Sequence, residues 1–128
     1  MKLLLDTHTF IWFNLNDARL TDHARRSIED ATNQILISPA SYWEIAIKIS
    51  NKRFSINVPY EIFWQSGIDD RGFDILPIEL RHTSELLAMP FHHKDPFDRL
   101  LVAQALAEKI PLISNDATLD AYGIVRIW

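Results

Sequence analysis

Residues 34–51 read QILISPASYWEIAIKISN. Gln34 to Ile37 are an aliphatic, β-branched run of strand length. Ser38 can cap a helix, and Pro39 then occupies the first helical position, where a missing N–H costs nothing. Beyond it Tyr42, Ile45, Ala46 and Ile49 recur at helical spacing. Ser41, Glu44, Lys48 and Asn51 form a polar stripe on another face, to about Asn51. A strand that passes through one cap into an amphipathic helix is half of a βαβ unit.

The same grammar extends in both directions. Lys2 to Leu5 predicts a strand ending at Asp6, and Thr7 to Asn14 a helix carrying Phe10, Ile11, Trp12 and Phe13. Thr21 caps a predicted helix to about Thr32 through Ala24, Ile28 and Ala31. Pro59 opens a helical stretch to about Ser66. Phe73 to Ile78 predicts a third strand, and Arg81 to Ala88 a helix that Pro90 stops. Asp95-Pro96 repeats the cap-plus-proline start, for a helix reaching about Lys109. Pro111 to Ile113 is a fourth predicted strand. Asp116 caps a short helix ending near Gly123, and Ile124 to Ile127 is a fifth strand. Short apolar strands alternating with amphipathic helices predict an α/β fold, a parallel sheet with helices on both faces. Sites in such sheets lie beyond the carboxyl ends of the strands, where the strand order switches direction.

The chain has 128 residues with only 3 glycines and no linker-like or repeated tract, so one domain over 1–128 is expected. Hydrophobic residues at 48% and charged residues at 23% are ordinary for a globular protein and exclude disorder and coiled coil. The absence of cysteine excludes disulfides, thiolate zinc sites and thiol catalysis. No apolar run could span a bilayer, and Asp6 interrupts the N-terminal run at once, so a cytoplasmic protein is expected. The net charge of −4 argues against binding nucleic acid through a broadly basic surface. It leaves room for a nucleic-acid enzyme that keeps its acids in one pocket.

Four acids stand near predicted strand ends or helix starts: Asp6, Glu44, Asp98 and Asp116. Each has a structural reading too. Asp6, Asp95 and Asp116 can be helix caps, and Asp98 can be a first-turn acid answering the helix dipole. Glu44 can pair with Lys48 one turn on, a surface pair worth a few tenths of a kcal/mol. The direction of helical side chains favours a site for Glu44. A long side chain leans toward the helix N-terminus, here the carboxyl edge of the sheet, where it can meet Asp6 if the first two strands are neighbours. Carboxylates gathered there repel by about 1 kcal/mol per pair at ~4 Å in water. A hard cation, Mg²⁺ or Mn²⁺, would compensate them and serve phosphoryl chemistry.

LLLDTHTFIW (3–12), SPASYWEIAIK (38–48), HHKDPFDRLLVAQALA (92–107) and LISNDATLDAYG (112–123) resemble the PIN-domain family, and within it the VapC-type toxin ribonucleases of prokaryotic toxin–antitoxin pairs. The likeness spans nearly the whole chain. It implies a three-layer PIN-like fold with a central five-stranded parallel sheet, a metal-dependent endoribonuclease and a protein antitoxin. The antitoxin segment would wrap the toxin, often with an arginine near the acids. The resemblance places the catalytic and metal-binding acids at Asp6, Glu44, Asp98 and Asp116, with Asp6 and Asp98 on the main ion. Thr7, Asp95, Ser114 and Asn115 stand at auxiliary polar positions. A homodimer is implied, with exposed aromatic and aliphatic residues of the early helices as its patch.

Lys48, Lys52, Arg53 and Arg99 are candidate RNA contacts, and Arg25-Arg26 reads as a solvated face. Met89 and the four tryptophans read as packing. The five histidines raise a metal-free ribonuclease as an alternative, but His92 and His93 are adjacent and cannot easily share one ion. A phosphatase of the haloacid-dehalogenase type also uses an acid after strand one, but needs another two residues on, where His8 stands. A response-regulator receiver expects paired acids after strand one and a phosphoacceptor after strand three. A non-catalytic acidic-pocket binding module would not need all four acids.

Overall fold

The computed structural model describes residues 1–128. Its strands are β1 (Lys2–Leu5), β2 (Gln34–Ile37), β3 (Asp74–Ile75), β4 (Leu112–Ile113) and β5 (Arg126–Ile127). The α-helices are α1 (Thr7–Asn14), α2 (Asp22–Glu29), α3 (Pro39–Ser50), α4 (Tyr60–Trp64), α5 (Leu80–Ala88) and α6 (Pro96–Glu108). A π-helical turn, Gln65–Asp69, extends α4, and a 3-10 segment, Ala117–Tyr122, separates β4 from β5.

All five strands join one parallel sheet in the order β3-β2-β1-β4-β5. Leu5 stands opposite Ile37 on one side and Ile113 on the other. The three central strands β1, β2 and β4 are buried on both faces, which is why they read as continuous apolar runs. The edge strands β3 and β5 are exposed or half-buried and carry Asp74 and Arg126. Side-chain alternation then divides the core. Leu3, Leu5, Ile35, Ile37 and Ile113 face α1, α2 and α4. Leu4, Leu36 and Leu112 face α6 and Met89. After β3 the chain returns to the far side of β1 to lay down β4. The switch in strand order therefore falls between β1 and β4 and sets the crevice beyond their carboxyl ends.

Several predicted boundaries shorten. α2 ends at Glu29 because Asp30 turns extended and its carboxylate accepts from the N–H and hydroxyl of Thr32. That local bond replaces the last helical turn. β3 is limited to Asp74–Ile75, although the Leu76 N–H still donates to the Ile37 carbonyl at 2.9 Å. Pro77, which has no N–H, can add no further ladder bond. α6 closes at Lys109, in the left-handed conformation (φ 56°).

Two features of the tryptophan and helix readings are corrected. Trp12 and Trp64 are buried, and Trp128 packs on Trp12, but Trp43 is 67% exposed and meets Phe97 edge-on at 5.3 Å. α1 buries Phe10, Ile11, Trp12 and Phe13, so the early aromatic run forms core and not a surface patch. Apart from Met1 and Leu15, the exposed large apolar residues lie beyond α1, among them Trp43, Ile47, Ile62, Leu80, Leu87 and Phe91.

Gly67 sits where α1 and α4 close on each other. A Cβ there would lie 2.6 Å from Phe10 Cζ, and Phe10 is fully buried and stacked on Trp64. Gly67→Ala is expected to cost about 1–3 kcal/mol by overpacking. A urea titration checks this, and an unchanged midpoint would show that the Phe10 ring yields freely. No helix is long and apolar enough to cross a membrane.

Candidate active site

Asp6 leaves β1 at the switch point and caps α1, its Oδ1 accepting from the Thr9 N–H at 2.8 Å. The Thr9 hydroxyl donates to the Ile113 carbonyl at 2.9 Å, which pins this helix start to the end of β4. Asp6 is 4% exposed. Burial pushes its carboxyl above the ordinary range, against hydrogen bonds from Ser114 and Thr9 that favour the carboxylate.

Glu44 comes from α3, the helix that follows β2, the strand adjacent to β1. It is 6% exposed, so its pairing with Lys48 (Nζ to Oε2, 3.3 Å) is no surface ion pair. Its Oε1 is buried with no hydrogen-bond partner. A buried carboxylate oxygen without a donor costs on the order of 1–3 kcal/mol or more, so this atom is suited to receive a ligand.

Asp98 enters from the first turn of α6. Asp95 is the cap of that helix, its Oδ1 accepting from the N–H groups of Phe97 (2.8 Å) and Asp98 (3.0 Å). In this geometry Asp95 is a helix cap that also adds negative charge behind Asp98. The Asp98 carboxyl is pushed up to about 7, by burial first and then by the charges of Asp95, Asp6 and Glu44. Asp98 is where the fields of the other acids converge.

Asp116 follows β4 and caps the 3-10 segment. Burial pushes its carboxyl up, but the Thr118 hydroxyl and N–H and the His93 imidazole outweigh that and hold it below the usual range. Ser114 is fully buried. Its hydroxyl accepts from the Asp116 N–H at 3.1 Å and favours the Asp6 carboxylate, so it ties the two acids together. The buried Thr7 hydroxyl pairs with Ser41 at 2.9 Å and links α1 to α3. Asn115 is exposed on the turn.

His93 joins the cluster, although the sequence argues against a shared ion for the adjacent His92 and His93. His93 places Nε2 3.0 Å from Asp116 Oδ2 and 3.5 Å from Asp98 Oδ2. The ligand atoms of His93, Asp98 and Asp116 all lie within 4.8 Å of one another. The signal was its place two residues before the cap Asp95; adjacency to His92 masked it. His92 packs against the Tyr122 ring instead.

Arg99 requires the opposite correction. It is 4% exposed, donates from Nη1 to the Pro90 carbonyl (2.9 Å) and the Tyr122 hydroxyl (3.1 Å), and lies over the Phe91 ring. It braces the loop before α6 and does not face solvent. Lys52 and Arg53 are exposed. Lys48, Arg53, Arg19 and His8 line an open pocket of about 280 Å³ beside α1.

Asp6, Glu44, Asp98 and Asp116 come from four elements. The ligand atoms of Asp98 and Asp116 lie within 4.8 Å of one another, Asp6 and Glu44 act on Asp98 through their charge, and together they offer hard oxygens. Such a set suits a divalent cation. The PIN-domain profile matches residues 3–125, all but the ends of the chain. The chain belongs to the PIN-domain family. Nucleases of this family are metal-dependent, and the acids of this PIN domain gather where such an ion would be held. The PIN domain is 27% identical over 122 residues to ribonuclease VapC22 of Mycobacterium tuberculosis, covering 94% of this chain and 91% of that protein. Two solved complexes share its fold. VapBC2 of Rickettsia felis, bound to a DNA fragment from its promoter, superposes with a TM-score of 0.71 at 17% identity, over 98% of this chain and 97% of that one. DNA-bound VapBC of Salmonella typhimurium gives 0.71 at 19% identity, over 98% and 96%. With the family shown, the phosphatase and receiver alternatives fall away.

Proposed function

We propose that the chain, a single PIN domain over residues 1–128, is a cytoplasmic endoribonuclease and the toxin of a toxin–antitoxin pair. The observation that carries this reading is the convergence of Asp6, Glu44 and Asp95 on Asp98, whose carboxyl is pushed up to about 7 by burial and their charges. A stable fold that keeps such repulsion has a use for it. Asp6 and Asp98 would hold the principal ion, Mg²⁺ or Mn²⁺, with Glu44 and Asp116 completing the pocket. When bound, a divalent cation there supplies charge neutralisation for the phosphodiester and acidifies attacking water.

The chain's own residues do the rest. Ser114 and Thr9 keep Asp6 in place, and Asp95 caps the helix that presents Asp98, whose side chain stays a quarter exposed on the open side of the site. Lys48 and Arg53, with Lys52 beside them, would meet RNA phosphates on the α1–α3 side, a reading supported by the open pockets they line. The experiment is incubation of the purified chain with mixed RNA, with chelator or with added Mg²⁺ or Mn²⁺. Cleavage should require the metal, and a generic phosphate monoester should survive. Monoester hydrolysis without RNA cleavage would overturn the reading.

The antitoxin would silence the enzyme by offering a cation to the acidic pocket. A saturated complex with the cognate antitoxin should lose RNA cleavage, and full activity in that complex would refute this mode of inhibition. The second partner is another copy of the chain. Trp43 and Ile47 on α3 and Leu87 on α5 are exposed apolar residues that a dimer would cover. Light scattering should give twice the chain mass at micromolar concentration, and a monomer throughout would remove the dimer.

A further inference from the structure

The imidazole of His93 is held on both nitrogens, and the two bonds define its chemistry. The Asp95 backbone N–H donates to Nδ1 at 3.1 Å. A donor aimed at Nδ1 requires a lone pair there, which leaves the hydrogen on Nε2. Nε2 then faces Asp116 Oδ2 at 3.0 Å and Asp98 Oδ2 at 3.5 Å as a donor. The His93 backbone is fixed as well: its N–H donates to the Tyr122 hydroxyl at 2.9 Å, and that oxygen also accepts from the buried Arg99. The carboxylate of Asp116 is filled unevenly in consequence. Oδ1 takes both the Thr118 N–H and the Thr118 hydroxyl, whereas Oδ2 takes only His93.

We infer that His93 is a positioning residue: its Nε2–H orients Asp116 so that the unused lone pair of Oδ2 is turned toward the same space as Asp98, and His93 itself does not ligate the ion. The inference rests on the acid-site reading above. The geometry is also that of a candidate nitrogen ligand, because three potential ligand atoms lie within 4.8 Å. The Asp95 N–H decides between the two roles. Ligation through Nε2 by a neutral ring would move the hydrogen to Nδ1 and set it against that N–H, donor against donor. Partners that orient a metal-binding carboxylate commonly alter metal affinity by about 10–100-fold when removed.

The test combines His93→Ala, His93→Gln and Asp98→Asn with direct binding of Mn²⁺ and Mg²⁺ by calorimetry and with long-range ¹⁵N NMR of the histidine rings. Gln can restore an N–H near the Nε2 position but offers no ring nitrogen. In the unsubstituted protein the His93 ring should carry its hydrogen on Nε2, in chelator and in saturating Mg²⁺ alike. His93→Ala should weaken Mn²⁺ and Mg²⁺ by the same factor, about tenfold or more. His93→Gln should recover affinity to within about threefold of the parent. A hydrogen on Nδ1, or a loss confined to Mn²⁺ that Gln does not repair, would make His93 a ligand and overturn the inference. Unchanged affinity in a folded His93→Ala would reduce it to a structural residue. Should that variant fail to fold, the ring tautomer of the parent and the affinity of His93→Gln decide. Asp98→Asn separates the two levels: if it too leaves Mn²⁺ binding intact, the acid-site reading has failed, whereas binding lost there and kept in His93→Ala removes only the role of His93.

Discussion

Asp98→Asn is expected to abolish RNA cleavage while leaving the metal-free protein at least as stable as the parent. The substitution keeps the shape and removes one charge from a cluster that repels it. The parent carboxyl is pushed up to about 7 from an ordinary 3.8, by burial first and then by Asp95, Asp6 and Glu44. The folded chain therefore holds this proton through a window in which the unfolded chain has lost it. Stability contributed by a raised acid falls as pH rises between those values and stays low above them. Melts of the parent in chelator should decline from pH 4 toward pH 7, and Asp98→Asn should lack this component of the decline. Near pH 8 the variant should be more stable by roughly 1–2 kcal/mol, after allowing for solvent screening of a side chain that is a quarter exposed. Added Mn²⁺ should reverse the ranking, because its stabilisation grows as RT ln(1 + [L]/Kd), about 2.7 kcal/mol at 100 times Kd. The parent gains this and the variant loses most of it. Cleavage should fall by about 100-fold or more. A variant that melts lower in chelator yet still cuts RNA would make Asp98 a helix-dipole acid and move the active site elsewhere.

Arg99→Ala should behave in the reverse manner, losing stability with little change in RNA recognition per folded molecule. Its guanidinium is buried, joins the Pro90 carbonyl to the Tyr122 hydroxyl, and stacks 4.0 Å from the centre of the Phe91 ring. Truncation strips both acceptors of a charged donor and opens space behind the loop that carries His93. A cost of about 2–3 kcal/mol follows from bonds of this type. For a domain of this size that is a drop in Tm of roughly 6–15 °C. Arg53→Ala, at an exposed position, should leave Tm nearly unchanged and lower the salt dependence of RNA binding by about 0.7 in the logarithmic slope. Lys48→Ala also strips the buried Glu44 of its cation and should lower Tm as well. Calorimetric melts and binding at several salt concentrations separate the two classes. An Arg99→Ala protein of parental Tm with a reduced salt slope would return Arg99 to the RNA-facing set.

The contrast between Asp98 and Arg99 shows where sequence reading reached and where it stopped. The strands and caps were legible because each is dictated locally: a short aliphatic run, then Asp6, Ser38 or Asp95 with a side-chain oxygen to offer. The parallel order followed from the strand–helix alternation, and the direction of helical side chains brought Glu44 to the sheet edge. Burial of one polar residue against another is not local. Arg99 lies one position past Asp98 and was expected to share its surroundings, but one position along a helix is a turn of 100°. That carries Arg99 from the site into the wall behind it. His93 was hidden for the same reason. Nothing in HHKDP says which histidine faces Asp116; a loop held by Tyr122 from a distant segment decides it. The α1 aromatics lie outside any surface patch because a helix joined directly to a buried central strand is covered on nearly every side, whereas α3 leaves Trp43 and Ile47 exposed.

The chemistry of the RNA ends tests the central claim most directly. RNA cleaved by the purified chain in Mg²⁺ or Mn²⁺ should carry 5′-phosphates and 3′-hydroxyls, because on the proposed reading water held among these acids would attack phosphorus without using the ribose 2′-hydroxyl. Chelator should stop the reaction. Cleavage that persists in chelator and leaves 2′,3′-cyclic phosphates would place the chemistry on histidines and contradict a metal-dependent site built from Asp6, Glu44, Asp98 and Asp116.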